Sequence, residues 1–366
     1  MSQRIDILME NALEKGVFPG AVLLCALEGE VVLERAYGLA RSVDRPRPMT
    51  LTARFDLASV TKAIGTTVVA MIAVERSCLE LDEPVHSWLP VSVALGRVTP
   101  RLLLSHCSGL PAWLPLHLEQ EEASKGWTQP PDRDRVREWM RARLGALPLE
   151  YEPGRAAVYS DLGFMVLEWL LEVRMGERID SVLTSCFLEP LGLTETGYVD
   201  LDARPRPAGE FVATERCSWR GRVLEGEVHD HNTYAMGGIC GQAGLFSTAH
   251  ETHLMLRDLW QSWRDGLGVL GQSTVRRFWS PSNVPGSSFR LGWDGPSPEG
   301  YSAAGRLMSR SAVGHLGFTG CSVWLDPQSG FWVVLLTNRI HPSAENRRIA
   351  AFRPELHDLL VRELLV

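Results

Sequence analysis

From Val60 to Val74 nearly every residue is apolar or small, a run that fits a helix buried on almost every side. Such a segment has to be wrapped by the rest of the chain, so it fixes the middle of the molecule. Asp56 and Ser59 stand at its start as candidate caps. The chain has 366 residues, more than a single core usually serves, and two lobes are expected. Apolar residues make up 45% and charged residues 22%, the balance of a folded protein rather than a disordered one.

Ile5, Leu8, Met9, Ala12 and Leu13 recur at helical spacing and predict an N-terminal helix closed by Gly16. Two β-rich runs, 21–26 and 31–37, flank Leu27-Glu-Gly-Glu30 and read as a hairpin. Further helices are predicted over 136–144, 163–175 and 179–187, then from His250 to about Trp263. Residues 311–325 and 331–338 are β-patterned around the turn Asp326-Pro-Gln-Ser-Gly330, and 349–365 supplies a closing helix. Strands at both ends with helices between them predict an α/β (α+β) fold of one unit over 1–366. Its antiparallel sheet is built from both termini and flanked by helices, one lobe covering about 1–58 and 238–366; a helical lobe is inserted over about 59–237.

The formal net charge of −7 argues against a nucleic-acid or anionic-membrane partner, since each needs a basic face. No stretch reaches the charge-free length of a membrane span and the first residues lack a leader-like apolar core, so a cytoplasmic protein is expected. The seven cysteines are odd in number, scattered, and form no C-x-x-C pair, which suggests reduced thiols rather than a thiolate metal site. No cofactor is expected, and the sequence leaves the oligomeric state open.

Ser59-Val-Thr-Lys62 places a hydroxyl and an amine at i and i+3, on one helix face. A serine is a weak nucleophile until its proton is removed. A lysine in an apolar helix, its ammonium form disfavoured by burial, is a candidate for that base. The pattern alone is common by chance, and its context carries more weight. In order, the chain shows Phe55-Asp-Leu-Ala-Ser59-Val-Thr-Lys62, Leu103-Leu-Ser-His-Cys-Ser108-Gly-Leu-Pro111, Glu152-Pro-Gly154, Tyr159-Ser-Asp-Leu-Gly-Phe164, Gly241-Gln-Ala-Gly-Leu-Phe-Ser247 and Gly314-His-Leu-Gly-Phe-Thr-Gly320. This ordered set resembles the serine β-lactamase-related family: class C β-lactamases, D-alanyl-D-alanine peptidases and related esterases.

The resemblance covers nearly the whole chain and implies a serine hydrolase that works through an acyl-enzyme on an ester, amide or lactam. It implies Ser59 as nucleophile, Lys62 as its partner in proton transfer and Tyr159 as a second acid or base. A neighbouring ammonium would either stabilise the tyrosine as phenolate or make its hydroxyl a proton shuttle. His315-Leu316-Gly317 stands where the family has Lys-Thr-Gly, and His315 is expected to polarise the site or hold Tyr159. The backbone N–H groups of Ser59 and Phe318 are the implied oxyanion donors. Two departures stand out: Asp161 replaces the usual Asn, and Leu316 replaces Thr. Together they take away an amide and a hydroxyl that would hold a β-lactam, so esters and amides are the expected substrates, with only weak β-lactamase activity.

The segment Ala213-Thr-Glu215 to Gly226-Glu-Val-His-Asp-His-Asn232, followed by Met236-Gly-Gly238, resembles the branch found beside cell-wall recycling glycosidases. It implies a peptide or muropeptide substrate, with Glu215, His229, Asp230 and Asn232 reading polar groups alongside Asp161, Leu316 and Gly317; the same segment also reads as a loop that braces the site. Two other functions compete. One is a penicillin-binding sensor of cell-wall peptides with very slow turnover. The other is a metal hydrolase, suggested by His229-Asp-His231 with His250 and His253, although the ligand set is incomplete. His106 is expected to be structural, positioning Ser108.

Overall fold

The computed structural model describes residues 2–126, 132–203, 209–282 and 284–365. Its frame is a six-stranded antiparallel sheet made from both ends of the chain. The first three strands are β1 (Gly20–Leu27), β2 (Glu30–Arg41) and β3 (Arg47–Pro48); β7 (Val313–Leu316), β8 (Ser322–Asp326) and β9 (Phe331–Thr337) come from the other end. The order is β3-β2-β1-β9-β8-β7, so β1 and β9 meet in the centre and β7 lies at an edge.

Period-two alternation explains why the central strands are buried on both faces. In β1, Val22, Leu24 and Ala26 join the larger core while Ala21, Leu23 and Cys25 face the smaller one. In β9, Trp332, Val334 and Leu336 take the first side and Phe331, Val333 and Leu335 the second. The terminal helices α1 (Ser2–Glu14) and α6 (Ile349–Leu364) cover the smaller core through Ile5, Met9, Leu356 and Leu360. The larger core is filled by α2 (Thr67–Glu75), α3 (Arg133–Gly145), α4 (Asp161–Met175) and α5 (Ala249–Asp265). This is the expected mixed fold, an antiparallel sheet of both termini with helices between them.

Two elements depart from the sequence reading. The buried run is not one α-helix: Lys62–Thr66 is a π-turn, with the Thr67 amide reaching back to the Lys62 carbonyl, and regular helix begins only at Thr67. Insertions of this kind favour functional positions, and composition carries no trace of them. The run 311–325 is two strands rather than one, with a tight turn over 317–321 where Gly317 N–H donates to the Cys321 carbonyl (2.7 Å). Asp56 also does not cap the helix. Its carboxylate accepts from Ala58 N–H (2.8 Å) and His229 N–H (2.6 Å), setting the bend that presents Ser59.

A small three-stranded sheet, β4 (Phe55–Asp56), β6 (Leu245–Ser247) and β5 (Gly197–Tyr198), joins that bend to the helical part of the chain. No helix among the described residues is long and apolar enough to cross a membrane.

Within the larger core, Trp332 Nε1–H donates to His253 Nδ1 (3.1 Å), and burial lowers the His253 pKa to about 4. The unfolded chain takes up a proton near the ordinary histidine value of 6.5 that the folded chain refuses until about pH 4. Stability contributed by neutral His253 is therefore lost as pH falls through that window. His253→Asn keeps an acceptor that does not titrate, so its thermal midpoint is expected to fall less steeply than wild type between about pH 6.5 and 4.5. Equal slopes in a thermal-melt series would contradict this role.

Candidate active site

Ser59 follows Ala58, whose φ of 46° lies in the left-handed region that non-glycine residues seldom adopt. The strained turn lifts the hydroxyl to the floor of a cleft of about 720 Å³. Lys62 is fully buried one turn on. Its Nζ donates to Ser59 Oγ (3.0 Å) and to the Gln242 carbonyl (2.8 Å), and lies 2.7 Å from Asp161 Oδ1.

These contacts reverse the expectation of a lysine left neutral by burial. Burial does pull the Lys62 pKa down, but Asp161 and Tyr159 outweigh it, and the group is held above its ordinary value as an ammonium. Asp161 is thus the counter-ion of Lys62 as well as part of the cleft wall. It opens α4 behind the N-cap Ser160, whose Oγ accepts from Gly163 N–H (3.1 Å), so the carboxylate also sits at the favourable end of a helix dipole.

Tyr159 lies beside the pair, with Lys62 Nζ 5.0 Å from its ring centre, close enough for Lys62 and Ser59 to act on its hydroxyl. Burial raises its pKa more than Lys62 lowers it, so the side chain rests as a neutral phenol, not a phenolate. His315 on the edge strand is buried, and burial followed by the charge of Lys62 lowers its pKa to about 3. Its Nδ1–H donates to the Leu316 carbonyl (2.9 Å), which leaves Nε2 as an acceptor. A neutral imidazole therefore stands where the family pattern has a lysine.

The candidate oxyanion donors are drawn together by the backbone. Thr319 Oγ1 donates to the Asp56 carbonyl (2.8 Å), and a Cβ on Gly317 would lie 2.5 Å from the Leu57 carbonyl oxygen. The turn after β7 is thus pressed against the residues leading to Ser59, an approach that only glycine permits. Neither the Ser59 nor the Phe318 amide has a hydrogen-bond partner among the described residues, and both residues line the cleft.

Leu316, Gly317, His229 and Asp230 also line the cleft, but Glu215 and Asn232 do not. Glu215 sits behind His229, 2.9 Å from its Nε2. Asn232 is fully buried and braces a loop: its Oδ1 accepts from His117 N–H (3.0 Å) and its Nδ2 donates to the Leu114 carbonyl (2.9 Å). No group of three or more His, Cys, Asp or Glu among the described residues is arranged to hold a metal, and His253 is engaged by Trp332. The sequence reading gave no role to Gln242, whose carbonyl anchors Lys62, or to Trp113, Phe289 and Asp294 in the wall. Gln242 lies inside the quoted Gly241–Ser247 motif, which was its only signal.

Residues 5–356 match the Beta-lactamase family model. The chain belongs to the Beta-lactamase family. It is 32% identical to an "N-acetylmuramyl-L-alanine amidase" of Bacillus subtilis (strain 168), over 93% of this chain and 81% of that protein. A "Putative D-alanyl-D-alanine carboxypeptidase" of Salmonella enteritidis PT4 is 28% identical over 94% of this chain and 84% of that one. Among solved structures, "EstCE1, a hydrolase with promiscuous acyltransferase activity" superimposes with a TM-score of 0.72 at 22% identity, covering 96% of this chain and 98% of that one. The octameric penicillin-binding protein homologue from Pyrococcus abyssi gives 0.73 at 19% identity, covering 98% and 77%. The chain is a serine hydrolase of the β-lactamase and penicillin-binding-protein superfamily.

Gly317→Ala is expected to lower turnover by about a hundredfold, the effect of displacing one oxyanion donor. Steady-state rates with a p-nitrophenyl ester measure it; unchanged turnover in the folded variant would show that the approach to Leu57 is not needed.

Proposed function

We propose that this hydrolase is an amidase that forms its acyl-enzyme on Ser59 and releases a peptide amine from a neutral acyl group, the class of bond named for the Bacillus relative. The observation that carries the reading is the shortage of positive charge for a carboxylate beside the scissile bond. Lys62 is paired with Asp161, and His315 is neutral. Arg353 lines the cleft as a cation, but its Nη2 is committed to the Gly320 and Cys321 carbonyls, and Arg339 Nη2 to the Phe318 carbonyl. Asp230 and Asp294 add negative charge to the wall. A terminal D-alanine or a β-lactam brings a carboxylate that such a cleft repels, whereas an internal amide does not.

In this mechanism the Lys62 ammonium passes a proton to Asp161 and takes the proton of Ser59 Oγ as the oxygen attacks the carbonyl. The amides of Ser59 and Phe318 receive the oxyanion. As the tetrahedral intermediate collapses, the Tyr159 hydroxyl protonates the leaving nitrogen and regains a proton from Lys62, which recovers its own from Asp161. Net transfer is one proton from Ser59 to the departing amine. Water then repeats the sequence against the ester. The mechanism uses side chains, two backbone amides and water, without a cofactor. The free state of all seven cysteines supports a reducing compartment such as the cytoplasm.

Assays with an N-acetylmuramyl-L-alanyl peptide, a peptide ending in D-Ala-D-Ala, p-nitrophenyl acetate and nitrocefin test the reading. The muramyl amide and the ester are expected to be turned over, with nitrocefin lower in kcat/KM by about 10²–10⁴ than for an optimised lactamase, as two lost hydrogen bonds of about 1–3 kcal/mol would give. Release of D-alanine faster than cleavage of the muramyl amide would contradict it. Lys62→Ala is expected to lose at least about a hundredfold in turnover, the scale of a positioned base. Near-wild-type turnover of that variant would remove Lys62 from the mechanism.

A further inference from the structure

His106 lies in the loop Ser105-His-Cys-Ser-Gly-Leu-Pro111 and is buried. It does not line the cleft. Contrary to the expectation that it positions Ser108, its hydrogen bonds go to the residues around Tyr159. Val158 N–H donates to the His106 carbonyl (2.9 Å), and Ser160 N–H donates to His106 Nδ1 (3.1 Å). Both amides flanking Tyr159 therefore end on this one residue. The imidazole also lies against the phenol, with ring centres 4.5 Å apart and planes tilted by 35°. Phe164 at 5.2 Å and Phe289 at 4.8 Å pack against the same imidazole.

We propose that His106 is a positioning residue for Tyr159, a clamp that grips the backbone on both sides of the tyrosine and supports its ring beside Lys62 and Ser59. The inference rests on the reading of Tyr159 as the proton carrier. A histidine buried only for packing has no need to serve neighbours on both sides of a candidate catalytic residue. Nor does packing require its backbone to stand at φ 57°, a left-handed conformation that is unfavourable outside glycine and seldom kept without a compensating use. The Ser160 amide needs a lone pair at Nδ1, so the ring proton sits on Nε2. Burial, with the charge of Lys62 added, lowers the His106 pKa and keeps the imidazole in that neutral form. The clamp stays closed at neutral pH.

A double-mutant cycle tests the clamp. Asparagine tolerates the left-handed backbone and offers an oxygen near the place of Nδ1, but lacks the ring under the phenol. His106→Asn is expected to fold and to lose about ten- to a hundredfold in kcat, the scale of a small misplacement of a reacting group, while KM changes less than about threefold. His106→Ala, which also loses the acceptor, should lose more. In the Tyr159→Phe background His106→Asn should cost less than about twofold, because the group it positions has gone. The same loss in both backgrounds, or no loss in either, would overturn the proposal. Failure of His106→Asn to fold would assign the residue to stability and overturn it as well. Tyr159→Phe with wild-type turnover is a separate failure: it would remove Tyr159 from the mechanism and the clamp with it.

Discussion

A fully buried ammonium is the constraint on which the site depends. Lys62 has no contact with water, and an isolated charge in that position would cost several kcal/mol. It is tolerated because three parts of the chain converge on Nζ: Ser59 from the preceding turn, Asp161 from the first turn of α4, and the Gln242 carbonyl from the loop before β6. Each partner is itself held. Gly241 N–H donates to the buried Glu168, which pairs with Arg137, and the Gly241 carbonyl accepts from Thr66 in the π-turn. The charge therefore ties the sheet, the central helix and the helical part of the chain to one point.

The same constraint governs the neighbours. A charged lysine and a cluster of buried rings leave no room for a second cation, and His106 and His315 are both kept neutral by burial and by Lys62. Neutral histidines can accept hydrogen bonds, which a lysine in their place could not. In the proposed function this site gives up affinity for carboxylates and keeps proton acceptors beside Tyr159. An amide carbonyl would then need only the nucleophile, those groups and two backbone N–H groups.

Much of this was legible in the sequence, and what was not has a physical reason. The two-faced strands β1 and β9 announce a central position by their unbroken apolar runs, and Ser59, Lys62, Tyr159 and His315, singled out by the family resemblance of the ordered motifs, lie together at the cleft. The charge state of Lys62 was misread, because burial argues for a neutral amine and only the placement of Asp161 at 2.7 Å reverses it. Glu215, His229, Asp230 and Asn232 read equally as cleft wall or as a bracing loop; His229 and Asp230 take the wall and Asn232 the brace, because proximity in sequence does not fix which side of a loop faces a cavity. The π-turn at Lys62–Thr66 follows from tertiary packing and has no compositional signal. Gln242 acts through its carbonyl, a group every residue carries, so residue type could not single it out.

Everything at the site turns on Lys62 resting as an ammonium held by Asp161. The chain contains only three lysines, Lys15, Lys62 and Lys125, so an NMR titration of isotope-labelled lysine side chains can follow Lys62 directly, assigned with Lys62→Arg. The ammonium signal of Lys62 is expected to persist through about pH 10, and to be lost at lower pH in Asp161→Asn, where the Asp161 charge no longer opposes burial. A neutral Lys62 at pH 7 in the wild-type protein, or a titration unmoved by Asp161→Asn, would contradict it.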